Sequence, residues 1–257
     1  MNPQTAHTTK EVREDKIRED IKLKREEFML EWARRIVKEE GLHALTLPRL
    51  AQVSEYSKPT VYKYFPTRED LIVALAVQSA AVRASYYEKA IAFKARPREK
   101  LLAIHSLHVG ALADYFSDML NVHLNRLGRQ ASDEHQQLLL KYEGRIAEIH
   151  AQIVREAVES GDLSLPQGVN EYQILLALTA TTFGIHVMQE SDSPVVKRWF
   201  TETGFTENSF VQVVLDGIGW RPLSSQLDYS RTLERFYDEV FPEFRDMTLG
   251  DELTPIP

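Results

Sequence analysis

The sequence predicts an all-α fold, and three observations lead to this class. Glycine and proline are scarce, with 11 of each among 257 residues, which favours helices over a turn-rich β fold. Apolar residues recur at helical spacing along most of the chain, whereas the alternation typical of strands is nearly absent. Capping residues stand before these periodic segments and glycines after them. No run of about 18 apolar residues is present, so we expect no membrane span.

Composition and charge exclude several classes of function. The chain has no cysteine, which excludes thiol catalysis, a disulfide scaffold and Cys-ligated metal sites and is typical of the cytoplasm. The N-terminal residues lack the apolar core of a signal peptide. Of the net charge of −7, residues 1–70 contribute almost nothing, with 14 Lys and Arg against 13 Asp and Glu. Because the acidic remainder repels phosphate, any contact with DNA is expected in this first quarter.

The N-terminal segment alternates in charge over residues 10–26, which fits either a solvated helix or a disordered arm. Its basic residues could track phosphates, but the interspersed acidic residues favour a solvated face. From Phe28 an apolar stripe at helical spacing predicts a helix that ends at Gly41. We therefore expect a charged extension over residues 1–24 ahead of the first domain.

Two short helices joined by a tight turn are predicted next, which is the outline of a helix-turn-helix. Thr46 is suited to cap a helix from Leu47 to about Ser54, and Ser57 to cap one from Lys58 to about Tyr64. Pro59 falls in the first turn of the second helix, where its missing N–H costs nothing. Phe65 is expected in the core.

The second short helix leaves polar and aromatic side chains facing outward. Lysine offers a phosphate contact or a donor to guanine, threonine contacts a thymine methyl, and tyrosine hydroxyls reach phosphates. The outward residues are Lys58, Thr60, Tyr62, Lys63 and Tyr64. Tyr62 has an alternative place in the small core, because it directly follows the apolar Val61.

The remaining sequence predicts long helices. Thr67 and Asp70 match a capping box at the start of a fourth helix, which runs to about Phe93. Further helices are expected from Pro97, over residues 133–160 and 171–189, from Thr206 to about Gly219, and in a last amphipathic segment that includes residues 233–241. The role of the last helix is open between covering a dimer edge and capping a pocket.

The segment from Gly41 to Leu71 resembles the DNA-binding region of the TetR (tetracycline-repressor-like) family of bacterial transcription regulators. About a dozen positions agree in order and spacing: Gly41, Thr46, Leu50, Ala51, Ser57, Thr60, Val61, Tyr62, Tyr64, Phe65, Glu69 and Leu71. Three positions depart from the family pattern, because Glu55 replaces a turn glycine, Pro59 a small residue and Arg68 a lysine. If the turn needs a positive φ, Glu55 is strained there by about 1 kcal/mol.

The resemblance implies a homodimer that places two recognition helices in successive major grooves of a near-palindromic operator. It implies a DNA-binding domain of three helices over residues 25–70 and a larger helical effector-binding and dimerisation domain over residues 71–257. The implied DNA contacts are the caps Thr46 and Ser57, the base-facing Lys58, Pro59 and Thr60, then Tyr62, Lys63 and Tyr64, and the backbone-flanking Thr67 and Arg68.

Two segments of the second domain are candidates for the dimer interface. Residues 171–189 carry a stripe of small side chains, and residues 206–219 are apolar on more than one face. The resemblance implies a four-helix bundle across a two-fold axis, and packing within one chain is the alternative. The candidate residues are Ile174, Ala177, Leu178, Thr181, Gly184, Phe210, Val214 and Ile218.

The middle helices offer aromatic, Met and His side chains, the composition of an effector pocket, with ordinary core packing as the alternative. The candidates are His105, His108, Tyr115, Phe116, Met119, His123, Phe183 and His186. His105 and His108 stand at i, i+3 without an assured third ligand, so no metal is expected. No cofactor is expected either, apart from an unidentified small-molecule effector.

The sequence thus predicts a ligand-responsive transcription regulator, a repressor rather than an activator, acting in the cytoplasm at the nucleoid. Its partners would be operator DNA, a second copy of the chain and the effector, which shifts the helices behind Thr67 by binding one state better. The alternative is an architectural or adaptor protein of the same fold without an effector. An enzyme is not expected, because phosphate loops and the GxSxG and HExxH motifs are absent.

Overall fold

The computed structural model describes residues 3–109, 131–189, 191–203 and 207–245. Within these ranges the chain forms ten α-helices and three short 3-10 helices, and no strand, which confirms the all-α prediction. The helices are α1 Pro3–Glu40, α2 Leu47–Val53, α3 Lys58–Tyr64, α4 Arg68–Ala90, α5 Pro97–Val109, α6 Asp133–Glu159, α7 Glu171–Gln189, α8 Pro194–Thr203, α9 Glu207–Gly217 and α10 Tyr229–Val240. None of these helices is long and apolar enough to cross a bilayer.

The described residues divide into two compact units. The first comprises residues 3–77 with 131–136, and the second comprises residues 78–109 with 137–245. The core of the first unit is made by α1, α2, α3, the start of α4 and the connection between α1 and α2. Its fully buried apolar side chains are Met29, Ala33, Ile36, Leu42, Leu45, Leu50, Val61, Phe65, Leu71, Ile72 and Val73.

The charged N-terminal extension is helical, since α1 begins at Pro3 and runs without interruption to Glu40. Nearly all side chains between residues 15 and 28 are exposed, and pairs such as Arg18 with Asp15 lie one turn apart at 3.7 Å. The helix ends as predicted, because Gly41 follows with a φ of 84°, a conformation that glycine adopts most readily.

The second unit has a large hydrophobic core, and α10 buries one face in it. Phe236 and Tyr237 of α10 are fully buried, and the Phe236 ring packs edge-on against Phe93 at 5.3 Å between centroids. The Tyr237 hydroxyl lies 3.1 Å from the hydroxyl of buried Ser106 on α5. The last helix is therefore part of the core and not only an edge or a lid.

An ion pair between a buried arginine and a half-buried aspartate joins α5 to the end of α9 within this unit. Arg98 is fully buried, and its guanidinium donates to the Trp220 carbonyl at 2.6 Å and pairs with Asp216 Oδ1 at 2.7 Å. Burial lowers the pKa of Arg98. Burial acts to raise the pKa of Asp216, but hydrogen bonds from Ser224 and Arg98 outweigh it and lower that pKa.

Two elements differ from the prediction. α4 ends at Ala90 instead of near Phe93. The N–H groups of Ala92 and Phe93 bond to the carbonyls three residues earlier, which turns the chain and brings Phe93 into the core. α8 was missed, although its apolar residues at 195, 196, 199 and 200 follow the same spacing that predicted α1. The helix has only ten residues, and Pro194 alone was a weak indication that a helix begins there.

The core position of α10 can be tested by truncating Phe236. Phe236→Ala should lower the free energy of unfolding by about 3–5 kcal/mol, because it removes a buried ring and leaves a cavity. The exposed Glu234 on the same helix is the control, and Glu234→Ala should change stability by less than about 0.5 kcal/mol. Urea unfolding followed by circular dichroism measures both. Equal effects of the two substitutions would contradict the core placement.

Candidate nucleic-acid interface

The two short helices of the first unit begin where their caps predicted. The Thr46 hydroxyl accepts from the Arg49 N–H at 3.3 Å, and the Ser57 hydroxyl accepts from the Thr60 N–H at 3.4 Å. The Ser57 and Thr60 hydroxyls are also hydrogen-bonded to each other at 2.8 Å. A proline stands in the first turn of each helix. The seven-residue α3 thus starts at a capped N-terminus.

The turn between the helices contains the one non-glycine residue with a positive φ in the described chain. Glu55 has a φ of 60°, so it occupies the left-handed conformation that the replaced glycine would adopt at no steric cost. Next to it, the Ser54 hydroxyl donates to the Leu50 carbonyl at 2.7 Å. The Tyr56 ring packs edge-on against Phe28 of α1 with 6.0 Å between centroids. The turn therefore keeps its shape despite the unfavourable residue.

α3 presents one buried and several exposed side chains. Val61 is its only buried residue, while Lys58, Pro59, Tyr62 and Lys63 are exposed. The Tyr62 side chain is 46% exposed, so the alternative that placed it in the core is wrong. Thr60 and Tyr64 are half-buried. Since α3 carries two lysines and no acidic residue, its exposed face suits a phosphate-bearing partner.

Arg68 has a positioning role that sequence reasoning missed. Its Nε donates to the Leu45 carbonyl at 2.6 Å, and one terminal nitrogen donates to the Leu42 carbonyl at 2.8 Å. These carbonyls belong to the connection between α1 and α2, so Arg68 fastens that connection to the start of α4. No local signal could reveal this, because the partners lie more than 20 residues earlier in the chain.

A second ion pair joins the end of α1 to the first turn of α2. Arg49 donates from two nitrogens to the Glu40 carboxylate, with a shortest distance of 2.7 Å. The hydrogen bond from Arg49 lowers the pKa of Glu40. Both side chains are partly exposed to solvent, so we expect this pair to orient α2 relative to α1 and to add little to the free energy of unfolding.

The first turn of α4 also holds the chain that precedes α6. Of the predicted capping box, the bond from the Asp70 N–H to the Thr67 hydroxyl is present at 3.0 Å, and the Thr67 hydroxyl donates to the Asp70 carboxylate at 2.8 Å. The buried Asp70 carboxylate further accepts from the Ser132 N–H at 2.8 Å and lies 3.3 Å from His135 Nδ1. Burial acts to raise the pKa of Asp70, but these hydrogen bonds outweigh it and lower that pKa.

The candidate pocket residues are not all brought together by the described structure. His105 is buried in the second unit and Phe183 is half-buried. Tyr115, Phe116, Met119 and His123 lie outside the described residues, as do the side chains of His108 and His186.

The buried His105 of α5 interacts electrostatically with the half-buried His150 of α6. Burial lowers the pKa of His150, and the charges of His105 and Arg83 act in the same direction. His150 Nδ1 lies 2.9 Å from the Ile146 carbonyl, and its ring packs edge-on against Tyr87. In the described part of the chain, no three His, Asp or Glu side chains are arranged to hold a metal ion.

A groove between α4 and α6 in the second unit was not predicted. It has a volume of about 520 Å³ and a floor of small side chains. Its lining is Ala81, Ala84, Ser85, Glu88, Lys141, Tyr142, Gly144, Arg145 and Glu148. The available signal was Ala81, Ala84 and Ser85 at helical spacing on α4, opposite Gly144 of α6.

The candidate dimer residues fall on two different faces. Ile174 and Leu178 are only 7% exposed because they pack in the core of their own unit, so their assignment to an outer face is corrected. Ala177 is exposed. The remaining candidates are half-buried, namely Thr181, Gly184, Phe210, Val214 and Ile218. The outward apolar residues Leu176 and Val213 were missed, because α7 is apolar all round and its pattern does not tell which face meets the core.

The capped α2, the tight turn and the exposed α3 define a helix-turn-helix protein. Residues 29–75 match the family model of the bacterial regulatory proteins of the tetR family. The resemblance drawn from the sequence is therefore confirmed over the helix-turn-helix region.

The chain is also similar to known regulators over more of its length. It is 26% identical over 145 residues to the fatty acid metabolism regulator protein of Bacillus subtilis (strain 168), and the match covers 56% of this chain and 74% of that protein.

Three solved structures share the fold at low sequence identity. NemR of E. coli in its reduced form has a TM-score of 0.55 at 17% identity, covering 77% of this chain and 99% of that one. PfmR of Thermus thermophilus has a TM-score of 0.52 at 18% identity, covering 74% and 96%. FadR of B. subtilis in complex with stearoyl-CoA has a TM-score of 0.51 at 21% identity, covering 74% and 98%. These likenesses support the fold, a helix-turn-helix followed by a helical domain.

Replacing Glu55 by glycine should stabilise the first unit. The left-handed conformation costs an L-residue about 1–2 kcal/mol, and glycine recovers this at an entropic cost of about 0.5–1 kcal/mol. Glu55→Gly should therefore raise the free energy of unfolding by about 0.5–1 kcal/mol, whereas the β-branched Glu55→Val should lower it. Thermal unfolding of both variants checks this order, and a less stable Glu55→Gly variant would contradict it.

The Asp70 carboxylate should contribute stability that disappears in acid. A depressed folded-state pKa gives stability above the unfolded pKa of about 3.9, and this is lost as the pH falls through the folded value. Asp70→Asn should thus cost about 1–3 kcal/mol at pH 7 and progressively less below about pH 4, where the unfolded carboxyl takes up a proton first and the native carboxyl follows at lower pH. Urea unfolding across this range, with exposed Glu27→Gln as the control, measures it. A cost independent of pH would show that the ionised carboxylate is not responsible.

Proposed function

We propose that the protein is a transcription regulator, a repressor, that binds a near-palindromic operator as a homodimer and responds to a small-molecule effector. The observation that carries this proposal is the exposed face of α3, which bears two lysines, no acidic residue and outward tyrosine on a capped seven-residue helix. A helix of this kind fits the major groove, where its first residues reach base edges. The protein would act in the cytoplasm at the nucleoid.

The roles of individual residues follow from their exposure and bonding. Thr46 and Ser57 cap helices whose N-terminal N–H groups can face phosphates. The exposed Lys58 and Lys63 supply charge, and the Tyr62 ring projects from the same helix. The proposed contacts to bases or backbone are Thr46, Ser57, Lys58, Pro59, Thr60, Tyr62, Lys63, Tyr64 and Thr67. Arg68 acts in addition by fastening the connection that precedes α2.

The homodimer is supported by the composition of α7. Its 19 residues include one charged side chain, Glu171 at its start, and a helix that is apolar all round must be covered. Within the chain Leu176 remains 68% exposed. We propose that the outward faces of α7 and α9 pack against the same faces of a second copy.

The class of effector is proposed from the relatives. A regulator of fatty acid metabolism is among the similar proteins, and FadR was solved with stearoyl-CoA. We propose that this chain also responds to a long-chain acyl thioester. The groove between α4 and α6 is a candidate site, because its floor is small and apolar while Lys141 and Arg145 stand at its lining. His105 and Phe183 remain candidates for contacts deeper in the unit.

DNA binding should depend on α3 and on salt. Lys63→Ala and Tyr64→Ala should each weaken operator binding by about 1–3 kcal/mol if they contact bases, and removing a phosphate-binding charge at Lys63 should lower the salt slope by about 1. Lys94→Ala, exposed in the second unit, is the charge-matched control and should change neither. Fluorescence anisotropy with duplexes from beside the protein's own gene measures both quantities. The proposal would be contradicted if these duplexes bound no more tightly than random DNA and if Lys63→Ala and Tyr64→Ala left the affinity unchanged.

The effector proposal predicts a specific response to acyl-CoA. Stearoyl-CoA should shift operator affinity by tenfold or more, whereas free CoA at the same concentration should not, because it lacks the apolar chain. Isothermal titration and anisotropy on the same samples separate ligand binding from its effect on DNA. If acyl-CoA of every chain length leaves the operator affinity unchanged, this class of effector is excluded and an architectural role is favoured.

A further inference from the structure

The groove between α4 and α6 lies entirely within the second unit. Its floor consists of small residues, with Ala81 and Ala84 from α4 and Gly144 from α6. The stretch of α6 that lines the groove runs from Lys141 to Glu148, which corresponds to about 10 Å along the helix axis at 1.5 Å per residue. With a volume of about 520 Å³, the groove has the size of a site for a small molecule.

Gly144 has no reason within the described chain to be glycine. It lies in the interior of the 27-residue α6, where glycine costs about 0.5–1 kcal/mol relative to alanine. Its φ is not positive, and a Cβ atom at this position would meet no neighbouring atom within 4 Å. Both the backbone and the packing would therefore accept a side chain. What the glycine provides is space on the groove floor, where a ligand can approach the backbone closely.

Both acidic side chains of the groove lining are already paired. Arg145 Nε donates to Glu88 Oε1 at 2.7 Å, so this ion pair joins α6 to α4 at the groove. Glu148 accepts a hydrogen bond from Arg155, which lowers the pKa of Glu148. Because a cation compensates each carboxylate, these side chains do not exclude an anionic ligand from the groove.

Lys141 is the remaining charged residue of the lining. It is exposed, and in the part of the chain that the structure describes no carboxylate forms an ion pair with it. Its ammonium lies 5.5 Å from the centroid of the Tyr142 ring. An anionic group could therefore bind Lys141 without breaking an existing ion pair. An apolar chain attached to that group would at the same time cover the floor of small residues.

We propose that the groove binds an amphiphile whose apolar chain lies over Ala81, Ala84 and Gly144 and whose anionic head lies at Lys141. The inference rests on the proposed response to an acyl thioester, and it adds the orientation of the ligand and the residues that hold each end. Two sources supply such a head, namely a phosphate of the thioester and the carboxylate of a free fatty acid. They share the negative charge that Lys141 would bind.

Filling the groove tests the place of the apolar chain. Gly144→Ala and Gly144→Leu should raise the free energy of unfolding, because both residues are better helix formers and a Cβ atom meets no neighbour there. The same substitutions should weaken the binding of stearoyl-CoA, by about tenfold or more for leucine and by less for alanine. Gln137→Leu is the matched control, because Gln137 is exposed on α6 outside the groove, and it should leave binding unchanged. Calorimetric titration and thermal unfolding of the same samples measure the two effects.

Removing the cation tests the place of the head. Lys141→Gln should weaken binding by about fivefold or more for each probe that carries its anion to this residue. Stearoyl-CoA and stearate are titrated separately. A loss confined to stearoyl-CoA identifies a phosphate as the head, a loss confined to stearate identifies the carboxylate, and a loss for both shows that the site takes either. Lys94→Gln is the charge-matched control in the same unit and should affect neither probe.

The outcomes separate this site from the proposed effector class. If stearoyl-CoA binds Gly144→Leu and Lys141→Gln as tightly as it binds the intact protein, the groove assignment is overturned and the effector class stands. If neither stearoyl-CoA nor stearate binds the intact protein, the groove assignment and the effector class are overturned together. Operator binding is measured independently of both.

Discussion

The position of α3 depends on contacts made outside it, because a helix of seven residues is too short to be stable alone. Val61 is its only buried side chain, so its packing cannot fix its orientation without help. Its start is set by the Ser57 cap and its end by the buried Phe65, while Arg68 ties the preceding connection to α4 through two carbonyls. The exposed lysines and Tyr62 keep their outward orientation only while these contacts hold.

The first turn of α4, which contains Arg68, also contacts the residues that precede α6. The Asp70 carboxylate is buried and accepts from the Ser132 N–H, so its charge is retained for a structural reason. Its neighbour His135 also faces Glu26 of α1, whose pKa burial raises although the charge of His135 opposes the shift. His135 at the start of α6 thus interacts with one carboxylate of α4 and one of α1.

Much of the helical architecture could be predicted from the sequence because its signals are local. Ser57 begins α3 as expected, and α7 has the predicted bounds Glu171–Gln189. Long-range contacts could not be predicted, since nothing near Arg68 indicates Leu42 and Leu45. The inward face of α7 could not be predicted from the sequence either, because the buried Ile174 is no more apolar than the exposed Leu176. The positive φ of Glu55 was anticipated only from the position of a glycine in related sequences.

The central claim is that two copies of α3 read a symmetric DNA site. Hydroxyl-radical footprinting on duplexes selected by the protein from a random pool tests it most directly. The account predicts an enriched near-palindrome with two protected regions related by a two-fold axis and centred about one helical turn, ~34–36 Å, apart. Selection that enriches no sequence, or a footprint without two-fold symmetry, would contradict it.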